Sequence, residues 1–364
     1  MSFSIRTSRK SSSFARLLIG ACLGITTVQA AAEEVVRVFN WAQYIDPEVI
    51  RSFEQETGIR VQYSEYRTAA ELDGALASGQ HFDVIFPSDF QLEHLIDSQQ
   101  LAELDASALP NRTFVSSELL ARLTSRSRAD RYAIPYMWGT VGLVVNEAEV
   151  TKALQKPAGN SWTLLFDPVN ASKLRSCGAT LGSVPEQAVS LLLNYKGKSV
   201  EHQNARTIQK AARELQALGL PAWTSSFPQF ITELSEGKIC AAITWNGLAS
   251  LANGKGNLRY SIPQEGGLLF IDSFAIPRNA PNPKAAYSFI NYMLKPANAG
   301  RNAQATHFAP GLDLGQPSVR AALPEQVPLT SDEKMRLFMP EGMSEAQRKE
   351  IGKVWAELGT PPHL

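Results

Sequence analysis

The segment from residue 35 to residue 97 constrains the fold most, because apolar runs of strand length alternate there with helical segments. The apolar runs are rich in β-branched and aromatic residues, which predicts buried strands. Three successive strand–helix units predict an α/β fold with a mostly parallel sheet and right-handed crossovers. The predicted strands and helices alternate over residues 35–39, 47–57, 59–63, 69–77, 82–86 and 90–97.

The first predicted strand ends in two aromatic residues that stand just before a helix start. Trp41 and Tyr44 follow the strand, Asp46 has the character of an N-cap, and Pro47 suits the first helical position. In open α/β sheets, ligands bind beyond the carboxyl ends of the strands. We therefore expect both rings at a ligand site, with ordinary core packing as the alternative.

Residues 1–30 have the pattern of a secretory signal peptide. Four basic residues precede the apolar run 17–25, which is too short to span a bilayer, and small residues follow at a cleavage site. Cleavage fits after Ala30 or after Ala32, and the residues before Cys22 loosely resemble a lipoprotein cleavage box. Removal of this segment leaves the mature chain with a net charge of −4. A mildly acidic chain without a basic patch disfavours nucleic acid as a partner.

Cysteine and histidine usage limits the chemistry. If Cys22 leaves with the signal, Cys177 and Cys240 remain, and an even pair in an oxidising compartment predicts a disulfide. A metal site is the competing idea, but the five histidines are scattered and show no ligand spacing. No Gly-x-Ser-x-Gly motif and no Cys/His pair supports catalysis. We expect neither cofactor nor metal, and a glycosidase built on Glu186 and Asp272 is the remaining enzymatic alternative.

Asp272 stands alone in the apolar run 268–277. An unpaired carboxylate in a buried strand would cost several kcal/mol, so we expect a partner or a shifted pKa. The groups expected around it at the strand ends are mostly aromatics and carboxylates. This combination suits an ammonium with a methylene stem, although sugars also stack on such rings. The candidate ligand-binding residues are Trp41, Tyr44, Ser88, Asp89, Glu186, Trp245, Phe270, Asp272 and Phe308.

Several motifs, taken in order along the chain, resemble those of the periplasmic putrescine/spermidine-binding proteins, the solute receptors of polyamine ABC importers. The resemblance covers nearly all of the mature chain and includes both remaining cysteines. The motifs are Asn40-Trp41-x-x-Tyr44-Ile45, Phe82-Asp83-Val84-x-x-Pro87-Ser88, Pro135-Tyr136-Met137-Trp138, Ser176-Cys177-Gly178, Pro185-Glu186, Ile239-Cys240-x-Ala242-Ile243-x-Trp245 and Asp272-x-Phe274-Ala275-x-Pro277.

This resemblance implies a two-lobed periplasmic binding protein of type II, a clamshell whose lobes are joined by crossover hinge strands. It implies lobe 1 over residues 31–137 plus about 273–364, and lobe 2 over 138–272. Hinges are expected near residues 138–140 and 266–267. It also implies the Cys177–Cys240 disulfide, a periplasmic location, a monomer, and the membrane permease of an ABC importer as partner. A sensor that uses the same clamshell is an alternative role.

The resemblance also suggests roles for the candidate residues. Asp272 would accept the ammonium, Glu186 would be a second acidic contact, and Ser88 or Asp89 would add a polar one. The aromatic box would come from Trp41, Tyr44, Trp245 and Phe270, and Phe308 replaces a tyrosine of the putrescine receptor.

Three positions depart from that receptor, because Ala42, Gln43 and Leu248 stand where it has a serine and two acids. The missing acids leave a second ammonium poorly satisfied. A monocationic amine, a modified amine or an amino acid is therefore the alternative ligand.

Overall fold

The computed structural model describes residues 1–4, 34–125, 128–198, 203–222, 226–252, 258–323, 329–339 and 343–357. The predicted signal peptide, with its cleavage sites and Cys22, lies outside the described residues. The chain from Glu34 onward forms a compact unit by itself. Among the described residues, no helix has the length and apolar character needed to cross a membrane.

Strands and helices alternate through most of the chain. The strands are β1 (Val35–Trp41), β2 (Arg60–Tyr66), β3 (Val84–Ile85), β4 (Ala133–Asn146), β5 (Ala241–Trp245), β6 (Leu258–Ser261), β7 (Gly267–Ala275), β8 (Ala309–Pro310) and β9 (Leu337–Phe338). The helices are α1 (Pro47–Thr57), α2 (Ala69–Ala77), α3 (Asp89–Asp97), α4 (Ser117–Thr124), α5 (Glu147–Leu154), α6 (Thr163–Phe166), α7 (Pro168–Leu174), α8 (Pro185–Tyr195), α9 (Ala205–Ala217), α10 (Phe227–Ser235), α11 (Asn246–Ala252), α12 (Pro283–Met293), α13 (Pro296–Thr306), α14 (Pro317–Ala322), α15 (Ser331–Met335) and α16 (Glu345–Ala356).

Local signals set the first helix as predicted. The Asp46 side chain accepts a hydrogen bond from the Glu48 N–H, and Pro47 occupies the first turn. Gly58 ends the helix with φ at 71°, a conformation that suits glycine. Phe53 of this helix packs edge-on against Phe289 of α12, with ring centroids 5.4 Å apart, and α12 in turn packs against β1.

The sheet has the strand order β2-β1-β3-β7-β4-β5, with β6 and β8 paired to β4 and β9 paired to β7. The strands β2 and β3 lie parallel to β1, as the alternation predicted. The prediction of a mostly parallel sheet is wrong, because β7 is antiparallel to β3 and β4, and β5, β6 and β8 are antiparallel to β4, although β9 is parallel to β7. An apolar run reports that a strand is buried and carries no information about its direction.

Two long strands join two α/β halves. Residues 133–141 of β4 pair with β7, and residues 141–146 of the same strand pair with β5 and β6. We call β1, β2 and β3 with their helices the first half, and β5 and β6 with theirs the second half. Both halves are therefore attached to the same pair of strands, β4 and β7.

The C-terminal helix α16 packs against α8 and α9, which belong to the second half. Ile351 is fully buried there, and the Gln209 Nε2 donates to Glu350 Oε2 over 2.9 Å. The predicted lobe boundaries, with everything after about residue 273 in lobe 1, stay a prediction. The packing of α16 favours a revised version in which this last helix belongs to lobe 2.

The predicted disulfide is confirmed. It joins Cys177, which follows α7, to Cys240, the residue before β5, and their Cα atoms are 5.5 Å apart. Their sequence separation is 63 residues. In the chain-entropy model, closing a loop of that length stabilises the fold by about 4 kcal/mol.

Candidate functional site

Asp272 lies on β7, whose side chains are all buried, and only 5% of it is exposed. Its carboxylate accepts a hydrogen bond from the Tyr44 hydroxyl at 2.9 Å and another from the Ser88 hydroxyl. Ser88 stands opposite Asp272 in an antiparallel bridge, which fixes this contact through the backbone. The expectation that Asp272 has partners is confirmed.

Burial raises the pKa of Asp272 from 3.8 to about 6, although the hydrogen bonds from Ser88 and Tyr44 act in the opposite direction. Burial and the negative charge of Asp272 together hold the pKa of Tyr44 well above its usual value, so Tyr44 remains a donor. Nothing cationic in the described chain contributes to the pKa shift of Asp272. The site thus holds a buried negative charge that a cation from outside would stabilise.

Aromatic rings line one side of this carboxylate. The Tyr44 ring meets Phe308 edge-on at 5.4 Å, and Phe308 meets Phe270 at 5.7 Å. The Tyr136 hydroxyl donates to the Tyr44 carbonyl oxygen at 2.6 Å and its ring packs against the Tyr44 ring, which holds Tyr44 in place. Tyr44, Phe270, Phe308 and Asp272, predicted separately, therefore form one cluster.

Two glycines allow the aromatic rings to sit close to the backbone. A Cβ on Gly139 would lie 2.7 Å from the Phe270 ring, and a Cβ on Gly247 would lie 2.6 Å from the Phe308 ring. Both distances are too short for any side chain. Larger residues at these two positions would push the rings out of the cluster.

The two candidate tryptophans, Trp41 and Trp245, lie at the ends of their strands, as expected, and both are half-buried. The Trp41 indole N–H donates to the Phe86 carbonyl oxygen at 2.9 Å, and its ring tilts against Tyr66 at 4.5 Å. Trp245 closes β5 in the second half, and its ring meets Phe227 at 5.9 Å. One indole thus comes from each half.

A small cavity of about 30 Å³ lies next to this cluster. Asp89 from the first half, Glu186 from the second half and Phe270 from β7 line it. Burial raises the pKa of Glu186, and the charge of Arg348 lowers it. Arg348, on the C-terminal helix, lines the same cavity.

The three departures from the putrescine receptor are also placed. Gln43 is exposed, with φ at 58°, and its N–H donates to Glu65 Oε1 at 3.1 Å. Leu248 is buried in an apolar cluster with Phe230, and Ala42 is half-buried. These positions hold no carboxylate, so Asp272, Asp89 and Glu186 are the candidate acids that the sequence and the structure leave for the ligand.

Sequence reasoning missed three residues of this region: Tyr136, Ser190 and Arg348. Tyr136 lies within β4, and its position in the motif Pro135-Tyr136-Met137-Trp138 was the available signal. Arg348 and Ser190 gave none, because each belongs to an ordinary helical pattern far from Asp272 in the chain. Within the described residues, no group of His, Cys, Asp or Glu could hold a metal ion.

The comparisons with known proteins agree with this architecture. Residues 48–320 match the family model described as bacterial extracellular solute-binding protein. The chain is similar to the putrescine-binding periplasmic protein PotF of Escherichia coli (strain K12), with 33% identity over 88% of this chain and 90% of that protein. It is also similar to a putrescine/agmatine-binding protein of Pseudomonas aeruginosa, with 32% identity over 94% of this chain and 97% of that protein.

Solved structures show the same fold. The spermidine/putrescine ABC transporter substrate-binding protein PotD of Streptococcus pneumoniae, crystallised with calcium and HEPES, is 26% identical and superposes with a TM-score of 0.71. That match covers 89% of this chain and 98% of the other. The expected α/β clamshell of type II, two lobes joined by crossover strands, is thus confirmed. The chain belongs to the family of bacterial extracellular solute-binding proteins.

Proposed function

We propose that this chain is a periplasmic solute-binding protein that captures a small alkyl amine, a polyamine or a related amine, between its two lobes and delivers it to an ABC importer. The observation that carries this proposal is the buried carboxylate of Asp272, which has two hydroxyl donors and, within the part of the chain that the structure describes, no cation beside it. An alkyl ammonium supplies the missing charge and can donate to the same two oxygens.

The aromatic cluster supports an alkyl amine over an inorganic cation. Tyr44, Phe270 and Phe308 present ring faces and edges beside the carboxylate, which would cover a methylene stem and stabilise an ammonium. Trp41 and Trp245 belong to the same proposed box, one from each lobe. The relatives named for putrescine and agmatine support this ligand class.

The two long strands support a hinge between the lobes. Trp138, Gly139 and Thr140 lie within β4 and pair with β7, while Gly266 and Gly267 stand at the start of β7. A rotation at these crossovers would open and close the cleft around the ligand. In this proposal the closed, ligand-bound monomer is the form that binds the permease.

Titration calorimetry of refolded, ligand-free mature protein tests this function. Putrescine, spermidine, agmatine, cadaverine and γ-aminobutyrate are the probes, with a neutral sugar and sulfate as controls. We expect at least one amine to bind and both controls to fail. Binding of a sugar or an anion without any amine would overturn the proposal.

The proposal includes no catalysis, and recovery of the bound amine tests that part. After prolonged incubation, the protein is denatured to release the ligand, and the mass of the ligand is measured by mass spectrometry. An unchanged mass is the expected result. Turnover of the amine would instead support an enzyme on this fold, and turnover of a glycoside in a parallel incubation would support the glycosidase built on Glu186 and Asp272.

A further inference from the structure

The cavity beside Asp272 contains a cation as well as acids. The Arg348 side chain lines it, and one of its nitrogens, Nη1, donates to the Met343 carbonyl oxygen at 2.7 Å. Among the described residues Arg348 forms no ion pair with a carboxylate, and a guanidinium has five N–H donors. Most of its donors are therefore available to a group that enters the cavity.

Ser190 provides a second and independent observation. It is fully buried in the middle of α8, lines the same cavity, and its hydroxyl has no hydrogen-bond partner within the described residues. A buried hydroxyl without a partner is costly and uncommon in native proteins. Such a group next to a cavity indicates that a polar ligand atom completes its hydrogen bonding.

The start of α8 borders the same cavity, and Val184 at its N-cap lines it. The N-terminus of a helix favours a negative group, and Glu186 in the first turn already supplies one, because its carboxylate accepts a backbone hydrogen bond. The helix end therefore adds no free donor of its own. The two donors that converge on this small space are the Arg348 guanidinium and the Ser190 hydroxyl.

The charged side chains that line the cavity determine which charged groups of a ligand can bind there. Asp89 and Glu186 face the cavity with Arg348, so a second ammonium would meet a guanidinium as well as carboxylates. Like charges at close range weaken binding, whereas a carboxylate would pair with Arg348 through two parallel hydrogen bonds. The acids that remain can still accept an ammonium attached next to that carboxylate.

We propose that Arg348 and Ser190 bind a carboxylate of the ligand, so that the transported amine is an amino carboxylate and not a simple diamine. The ammonium lies on Asp272 and the carboxylate lies in the cavity. Phe270, which lines the cavity, precedes Asp272 by one pleat repeat of roughly 7 Å. That spacing suits an ammonium and a carboxylate separated by a short alkyl chain. This inference rests on the proposed function, because it uses the same ammonium site.

Pairs of ligands that differ by one carboxylate test it. Lysine and cadaverine form one pair, and ornithine and putrescine form the other, while γ-aminobutyrate represents an ω-amino acid. We expect the wild-type protein to bind at least one carboxylate-bearing ligand about tenfold or more tightly than the corresponding diamine. Tight binding of lysine or ornithine would identify a diamino acid, and tight binding of γ-aminobutyrate an ω-amino acid; both support the proposal.

Variants test whether Arg348 and Ser190 cause the preference for carboxylate-bearing ligands. Arg348→Gln is expected to weaken carboxylate-bearing ligands about 10- to 100-fold and to leave the diamines unchanged or tighter. Ser190→Ala should weaken the same ligands about three- to tenfold. Lys349→Gln removes the neighbouring, exposed charge from the same helix and should change neither class.

Two results would overturn the inference and leave the proposed function intact. One is wild-type protein that binds diamines at least as tightly as their carboxylate-bearing partners. The other is an equal effect of Arg348→Gln on both classes. If Arg348→Gln does not fold, as judged by circular dichroism, the ligand pairs on the wild type and Ser190→Ala still decide. Failure of every amine to bind the wild type would instead refute the proposed function itself.

Discussion

Asp272 and Arg348 mark two ends of the candidate site that are built differently. The Asp272 carboxylate lies on a buried strand and is held by two hydroxyls, one of which comes from a residue paired with it across the sheet. Arg348 lies half-buried on the C-terminal helix, and its guanidinium donates a hydrogen bond to the carbonyl oxygen of Met343, five residues earlier. The Asp272 carboxylate is thus held in one position by its neighbours, whereas the Arg348 guanidinium lies at the end of a long side chain.

This difference divides the work of recognition. A short carboxylate on a strand loses little side-chain entropy when it binds, so its full charge acts on the ligand. Long side chains such as Arg348 and Glu186 must give up more rotamer freedom, which reduces their net contribution. We therefore expect the Asp272 end to set whether an amine binds, and the Arg348 end to set which amine binds.

The largest expected effect is the loss of amine binding in Asp272→Asn. Removing one partner of a buried charge pair costs about 2–5 kcal/mol, so amine affinity should fall about 30-fold or more. Titration calorimetry at pH 8 measures it. The matched control is Asp97→Asn, which neutralises an exposed acid at the end of α3 and should leave the affinity unchanged. Unchanged affinity in Asp272→Asn would show that the ammonium binds elsewhere.

The same variant should stabilise the ligand-free protein. Asp272 has a pKa raised from 3.8 to about 6 in the folded state, so its ionisation above that range destabilises the fold. The shift corresponds to at most about 3 kcal/mol. Urea unfolding measures this effect. Near pH 7.5 the free energy of unfolding of Asp272→Asn should exceed that of the wild type by up to this amount, and the difference should vanish as the pH falls to about 4. A variant less stable than the wild type at pH 7.5 would mean that the carboxylate is already compensated.

Amine affinity should also depend on pH, with the midpoint near the pKa of Asp272 of about 6. An alkyl ammonium stays charged over this range, since its pKa is about 10. Lowering the pH protonates the free site, so the affinity should fall about tenfold per pH unit below the midpoint. Calorimetric titrations between pH 7.5 and pH 5 measure this, and Asp272→Asn should lose the dependence. An affinity that rises on acidification would contradict the assignment.

Sequence patterns located the first end of the site and missed much of the second. Capping signals placed the start of α1 as observed, and the strand-end rule placed Tyr44 and Ser88 at one edge of the sheet. Asp272 lies in the middle of β7 and was singled out as the lone acid of an apolar run. These signals are local, or depend on β1 and β3, which pair in parallel. The short third strand, Val84–Ile85, was predicted longer than it is, because apolar residues beyond it are buried without pairing.

The second end depends on contacts between distant parts of the chain, which a sequence pattern does not encode. The helix α13 was not predicted, because its alanine-rich and polar residues lack an apolar stripe. The packing of α16 on α8 and α9, which brings Arg348 to the cavity, was not predicted. Antiparallel pairing of β4 with β7 was missed for the same reason.

The smallest expected effect separates the hydroxyl of Tyr44 from its ring. Tyr44→Phe keeps the edge-on contact with Phe308 and removes the hydrogen bond to Asp272 Oδ2, so amine affinity should fall about three- to tenfold. Because that hydrogen bond lowers the pKa of Asp272, the pH midpoint of amine binding should move upward. Tyr195→Phe is the control, since its hydroxyl meets Thr163 in the second half. A loss as large as that of Asp272→Asn would mean that the hydroxyl contributes as much to amine binding as the carboxylate does. A downward shift of the midpoint would show that Tyr44 does not stabilise the ionised form.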